Sequence, residues 1–252
     1  MSYTPLPTKE AVFMESDREC DKLAKSLKLL INGEWKVLKI DFHLPQKSNS
    51  FERYAYMVKK QIWVAFIEKG FAKIRKSYEK LSGGVAGIAL QQLTGAMTFS
   101  VFMEKFNNDE NRVWEFIQEN RNSKFILTVS TPTIEEESEK KQLLEEYGIR
   151  DCHEYSVLDA QVYMGHRLIL LAGSGPFGKP KSVRRWGHLP SYKEIREDWC
   201  AVDLGFSEFG TFWIDMSELF QYFEYVTVCQ YREKWKEIRI RRNVVANTKN
   251  TE

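Results

Sequence analysis

Apolar residues recur at helical spacing through residues 51–81. Tyr54, Met57, Val58, Ile62, Phe66, Phe71, Ile74 and Tyr78 share one face, and Lys59, Lys60, Glu68, Lys69, Lys73 and Arg75 take the others. The spacing predicts a long amphipathic helix packed on a core and stopped by Gly83-Gly84. A second helix is predicted over 86–95, where Thr94-Gly95 ends it, and a third over 108–122 with Val113, Trp114, Phe116 and Ile117 inward. Ahead of these, residues 23–30 read as a short helix, and residues 34–44 as a strand bounded by Gly33 and Pro45.

The period then changes. The β-branched and aromatic run 125–130 reads as a strand, followed by 154–161, 167–171, 210–214 and 226–231, with a short helix over 217–223. Helix-rich sequence followed by strand-rich sequence predicts an α+β body. The acidic run 135–141 reads as a solvated connector rather than a cation site.

Composition narrows the class. Of the 252 residues 43% are apolar and 13% aromatic, enough to bury a sizeable core and too many for a disordered chain. The net charge of +2 sets up no dominant field, so nucleic acid is not an expected partner. No run approaches the roughly eighteen apolar residues of a spanning helix, and the start lacks the form of a secretory signal. The 4 cysteines fall into neither a disulfide nor a zinc spacing. The cytoplasm is the location these features lead one to expect. His43, His153, His166 and His188 are too dispersed for a short metal motif, and residues 173–178 lack the lysine and hydroxyl of a phosphate-binding loop.

Three blocks carry a resemblance. Residues 63–84 read WVAFIEKGFAKIRKSYEKLSGG, residues 152–157 read Cys-His-Glu-Tyr-Ser-Val, and residues 209–214 read Phe-Gly-Thr-Phe-Trp-Ile. In this order they resemble the calpain family of cysteine proteases, whose motifs run W-x-A-L-L-E-K-A-Y-A-K-L-x-x-S-Y-E-x-L-x-G-G, G-H-A-Y-S-V and D-G-E-F-W. Upstream, residues 33–45 look like the family's G-x-W-x-x-V-x-I-D-D-x-L-P segment. The resemblance extends over roughly residues 33–229. It implies a papain-like fold, a helical segment followed by an antiparallel sheet or barrel subdomain, with the family's catalytic histidine at His153.

The same resemblance implies losses. The Q-x-x-G-D-C-W motif that carries the family's nucleophile is not found in these residues, so they look like the second half of a truncated core. The asparagine of R-N-P-W-G, which orients the imidazole, falls on Gly175, and Phe177 stands for the tryptophan. Glycine cannot hold a base in its tautomer. Cys152 adjoins His153, but in a strand the two side chains would diverge. Cys20 lies in a charged stretch, and Cys200 and Cys229 read as buried small hydrophobes. Where the family places calcium carboxylates this chain has Lys179, Lys181, Arg184 and Arg185, then Phe209 and Thr211. No calcium site and no other cofactor are expected, since calcium takes six to eight oxygens.

The resulting expectation is a lead-in over 1–30, a calpain-like core over 31–232 and a basic polar tail over 233–252. Its role would be that of a proteolytically inactive pseudoprotease that binds a protein or peptide, with association into an oligomer. The alternative is one part of a split calpain-type endopeptidase, with His153 as general base and the cysteine supplied by another protease half. The basic segment 232–242 reads as a solubilising end rather than a site for an acidic partner.

Overall fold

The structure is a computed structural model that describes residues 24–44, 63–81, 83–173, 211–235 and 238–240. Its first turn is made by Asn32 and Gly33, both at positive φ (51° and 79°), the conformation a two-residue hairpin loop requires. The turn joins β1 (Ala24–Ile31) to β2 (Glu34–Asp41), antiparallel from Ile31↔Glu34 to Ala24↔Asp41. β1 therefore corrects the helix expected over 23–30. Leu27 and Leu29 are buried and alternate with Ser26 and Lys28, and Lys28 lies over the Trp35 ring at 4.8 Å. A partner strand and the Asn-Gly turn outweigh the helix preference of leucine, alanine and lysine.

Helix α1 (Trp63–Arg75) packs on this hairpin. Phe66 joins Leu27, Leu29 and Ile40 in a small core of their own. A side chain at Gly70 would stand 2.1 Å from Leu27 Cδ2, so the helix reaches the strand as closely as it does because residue 70 has none. Residues 51–62 of the expected long helix lie outside the described residues. α2 (Ala86–Thr94) ends as expected at Gly95, which is left-handed with φ 72°. Gly87 of α2 sits against the methyls of Thr98 and Thr227, where a Cβ would be 3.2 and 3.3 Å away.

The main sheet is six-stranded and antiparallel throughout, in the order β3-β8-β4-β5-β6-β7. Its strands are β3 (Thr98–Phe102), β4 (Ile126–Ser130), β5 (Glu154–Tyr163), β6 (His166–Ala172), β7 (Thr211–Asp215) and β8 (Tyr225–Cys229). β3 is a strand that the periodicity does not reveal. Among the described residues three helices besides α2 accompany the sheet: α3 (Glu110–Asn122), α4 (Glu139–Tyr147) and α5 (Met216–Tyr222). α3 is capped by the Asp109 carboxylate, and α5 by a reciprocal Asp215 and Glu218 pair. α4 corrects the connector expected over 135–141: Ser138 caps it and Leu144 is fully buried.

One face of the sheet carries the large core, with Val226, Val228, Leu127, Val129, Tyr155, Val157, Ile169 and Leu171 packed against Val113, Ile117 and Leu219. A register shift between Val157 and Asp159 inserts Leu158 as an extra residue, which joins Leu168, Leu170, Ala172 and Trp213 in a second cluster. The α+β class and the antiparallel sheet stand as the sequence implied. Part of the basic C-terminal segment is tied to this body. Arg232 lies over the rings of Phe125 and Trp235, each at 4.8 Å, and Arg239 donates to Gly95 O at 2.5 Å.

Candidate active site

His153 stands immediately before β5, and its position is set by its backbone. Its N–H donates to Thr131 Oγ1 at 3.0 Å, and its carbonyl accepts from Thr131 N–H at 2.9 Å. The Thr131 hydroxyl donates to Arg150 O at 2.7 Å. The Cys152 N–H reaches Pro132 O at 2.9 Å, and the Arg150 N–H reaches Tyr155 Oη at 2.8 Å. On the outer side of the loop, Lys141 of α4 pairs with Asp151 at 2.7 Å. That hydrogen bond holds the Asp151 carboxyl below its usual range and the Lys141 ammonium above its own.

The imidazole itself is half-buried and meets the Tyr155 ring edge to face, with centroids 5.1 Å apart at 80°. Tyr155 is in turn packed edgewise on Phe212 and Phe223. Gly173, at the exit of β6, backs the same tyrosine: a Cβ there would come within 2.4 Å of the ring. Residue 173 is therefore held against the ring that meets His153. Gly175, two residues further on, lies outside the described residues, as do Cys20, Cys200, His188, Phe177, Lys179, Lys181, Arg184, Arg185 and Phe209.

The two described cysteines are both free. Cys152 is not part of a strand, which replaces the strand geometry assumed from the sequence. It occupies a left-handed turn position with φ 47° and is exposed, at the place where the family motif has glycine. Cys229 has 0% exposure and its Sγ lies 3.5 Å from Thr94 Oγ1. It ends β8, four residues beyond Tyr225, which pairs with Ser130 beside Thr131. At about 3.3 Å per residue that is roughly 13 Å along the strand from the His153 corner.

Glu154 occupies the position of the motif's alanine. Its side chain accepts a hydrogen bond from the Thr128 hydroxyl on the polar face of the sheet, and the hydroxyls of Ser130 and Tyr225 also favour its charged form. Burial pushes its carboxyl above the ordinary glutamate range, against the pull of those hydroxyls. Of the other histidines, His43 is exposed beside Asp41, and His166 Nδ1 lies 3.2 Å from Asp215 Oδ2. Ser217 Oγ donates to the same Asp215 carboxylate at 2.8 Å, so the aspartate serves a helix cap. Among the described residues no three histidine, cysteine or acidic side chains come together as a metal site, and no helix is long and apolar enough to cross a membrane. Thr211 lies in β7.

The sequence motif singles out His153 and gives no sign of the residues that hold it. Thr131, Tyr155 and Gly173 make contacts across the fold that no local pattern announces. Glu154 alone had a visible signal, a carboxylate where the motif has a methyl group.

A calpain-type core is what these elements form, and the comparisons agree. The family described as "Calpain family cysteine protease" matches residues 12–230, and the chain belongs to that family. It is similar to the calpain-type cysteine protease DEK1 of Zea mays, 25% identical over 218 residues, with 81% of this chain and 9% of the relative covered. Calpain-5 of Mus musculus is 22% identical over 233 residues, covering 82% of this chain and 36% of that protein. The calpain-like protease palB/cpr-8 of Neurospora crassa is 31% identical over 151 residues, covering 57% and 15%. The chain thus spans well under half the length of these relatives.

Proposed function

We propose that this chain uses the calpain-type core to bind protein or peptide rather than to cleave it. The observation that carries the reading is the pairing at His153. Of the described thiols, one is fully buried at the far end of β8, and the other is the exposed turn residue next to the histidine. Two substitutions support it. Gly175 offers no side chain where the family motif has the asparagine that orients the ring, and Glu154 places a carboxyl where the motif has a methyl. The lysines and arginines at 179–185 argue against calcium dependence. A cytoplasmic setting suits the free, exposed Cys152, and a partner protein, a cysteine-bearing protease half or a second copy would be met there.

One observation favours a second reading, a split endopeptidase. Thr131 fixes both the N–H and the carbonyl of His153, a degree of positioning suited to a general base that takes the proton of a thiol supplied by another chain. The two are separated by incubating the purified chain with an unfolded casein substrate and calcium, alone and with candidate partners retained from cytosol better than by a heat-unfolded control. The binding reading expects intact casein in every case. Cleavage that disappears in His153→Ala would replace it with the second reading.

A further inference from the structure

The two sheets end differently. Carbonyls along β2 are taken by two lysines of α1, at the rim of a cleft between the helix and the strand. Lys73 Nζ donates to Lys39 O at 2.9 Å, and Lys69 Nζ donates to Asp41 O at 3.3 Å and His43 O at 2.5 Å. β3 stands at one edge of the main sheet, with β8 as its neighbour on the inner side. Among the described residues nothing pairs with its outer side.

The ladder tells which groups of β3 are left open. Gln230 N–H donates to Met97 O at 2.9 Å, and Met103 N–H donates to Glu224 O at 2.8 Å. These bonds flank a continuous register from Thr98↔Cys229 to Phe102↔Tyr225. Bonded and non-bonded pairs alternate in an antiparallel ladder. Phe99 and Val101 therefore turn their N–H and C=O groups to β8, and Thr98, Ser100 and Phe102 turn theirs outward. An open edge is ordinarily blunted by charge, proline or a bulge. This one reads Thr-Phe-Ser-Val-Phe, with no charged residue, no proline and no shift of register. Its β-branched and aromatic side chains favour strand pairing. Ser100 and Phe102 are exposed, and the half-buried Phe99 and Val101 pack on the large core at its margin.

We propose that β3 is the interface of a two-fold homodimer, in which β3 of one copy pairs antiparallel with β3 of a second copy about Ser100. The outward residues are centred on Ser100, so this register joins Thr98 to Phe102 of the other copy and Ser100 to its own counterpart. Every outward N–H then meets an outward carbonyl, and the two sheets become one. On the core face Phe99 of one copy packs beside Val101 of the other, an aromatic and β-branched pair of the kind that stabilises sheets. The uncharged strands meet without repulsion. The Glu104 end of each lies at the Gly95 end of its partner, where Arg239 donates to Gly95 O, so opposite charges approach at both ends. The pairing uses up the open edge and closes at two copies. β5, at whose entrance His153 stands, is three strands away in the sheet order, so the interface is independent of whether the chain binds or cleaves peptides.

Sedimentation equilibrium of the whole chain over about 1–100 µM tests it, and a reversible monomer–dimer equilibrium in that range is expected. Because Ser100 faces its own counterpart, Ser100→Lys and Ser100→Glu each place like charges opposite one another and should weaken the dimer about fivefold or more. An equimolar mixture of the two variants should recover it as a heterodimer. Ser100 is exposed, so both variants should keep the parent's urea midpoint, which serves as the folding control. Hydrogen exchange of the parent needs no substitution: the Thr98, Ser100 and Phe102 amides should exchange more slowly at the high concentration than at the low one. A parent that stays monomeric throughout overturns the proposal, even if an added extended peptide slows those amides, since the edge would then take a peptide instead of a second copy. A dimer that neither substitution weakens, or one that the mixture does not recover, overturns it as well.

Discussion

At the entrance to β5 the backbone is satisfied by a neutral hydroxyl, whereas along β2 it is satisfied by ammonium groups at the rim of a cleft. Thr131 serves His153 and Arg150 inside the fold, where residue 131 is buried. Lys69 and Lys73 serve Lys39, Asp41 and His43 from a helix surface. The first arrangement depends on shape and is indifferent to salt. The second depends on charge and is screened by ions over about 10 Å at 0.1 M salt. The histidine corner is thus built as a rigid scaffold, and the lysine edge as a surface that responds to its surroundings.

The largest effect that would disturb this contrast comes from Gly173→Ala. The added Cβ would meet the Tyr155 ring at 2.4 Å, and overpacking of this kind costs about 1–3 kcal/mol. A fall of that size in urea-unfolding free energy is expected, with an altered imidazole chemical shift for His153. An unchanged midpoint would mean that the ring yields freely and does not support the histidine. Thr131→Val should follow, at about 1–2 kcal/mol, because it leaves the Arg150 carbonyl and the His153 N–H without their hydroxyl partner. That loss should be the same in low and high salt.

A pH-dependent effect comes next. Burial raises the folded pKa of Glu154, so the unfolded chain gives up this proton first. Stability contributed by the protonated form is therefore lost as pH rises from the ordinary glutamate value of about 4.3 through the higher folded value. Glu154→Gln removes this dependence, and urea midpoints of the variant should gain on the parent across that window. A constant difference between the two proteins would contradict the assignment. The smallest effect is expected from Lys69→Met. The Lys69 hydrogen bond, followed by the His43 N–H, holds the Asp41 carboxyl well below its usual range. Its contribution is present above the unfolded value of about 3.9 and is lost as pH falls through the folded one. The variant should lose this acid-side slope, and its difference from the parent should shrink in high salt.

Legibility in the sequence followed the range of the interactions. α2, α3, α5 and the strands from β4 to β8 carry local signals, a period or a capping residue, and are readable to within a few residues. β1 also carried a local signal, Asn32-Gly33 between two apolar runs, but its leucines and lysines look helical until β2 is placed beside them. β3 has nothing distinctive, because its pairing with β8 is decided more than 120 residues away (Phe99↔Val228). α4 was hidden by charge: among its described side chains Leu144 alone is fully buried, too little to make a visible stripe. The site divides in the same way. His153 is readable from a six-residue motif, whereas the hydroxyl of Thr131, 22 residues earlier in the chain, and the missing Cβ of Gly173 matter only once β4, β5 and β6 lie side by side.

The central proposal is that His153 activates neither of the described thiols, Cys152 and Cys229. It is tested most directly by incubating the native chain at neutral pH with a peptidyl vinyl sulfone and reading the intact mass. The account expects at most slow modification of the exposed Cys152, at the same rate in His153→Ala. Rapid, stoichiometric addition to one cysteine that vanishes in His153→Ala would contradict it.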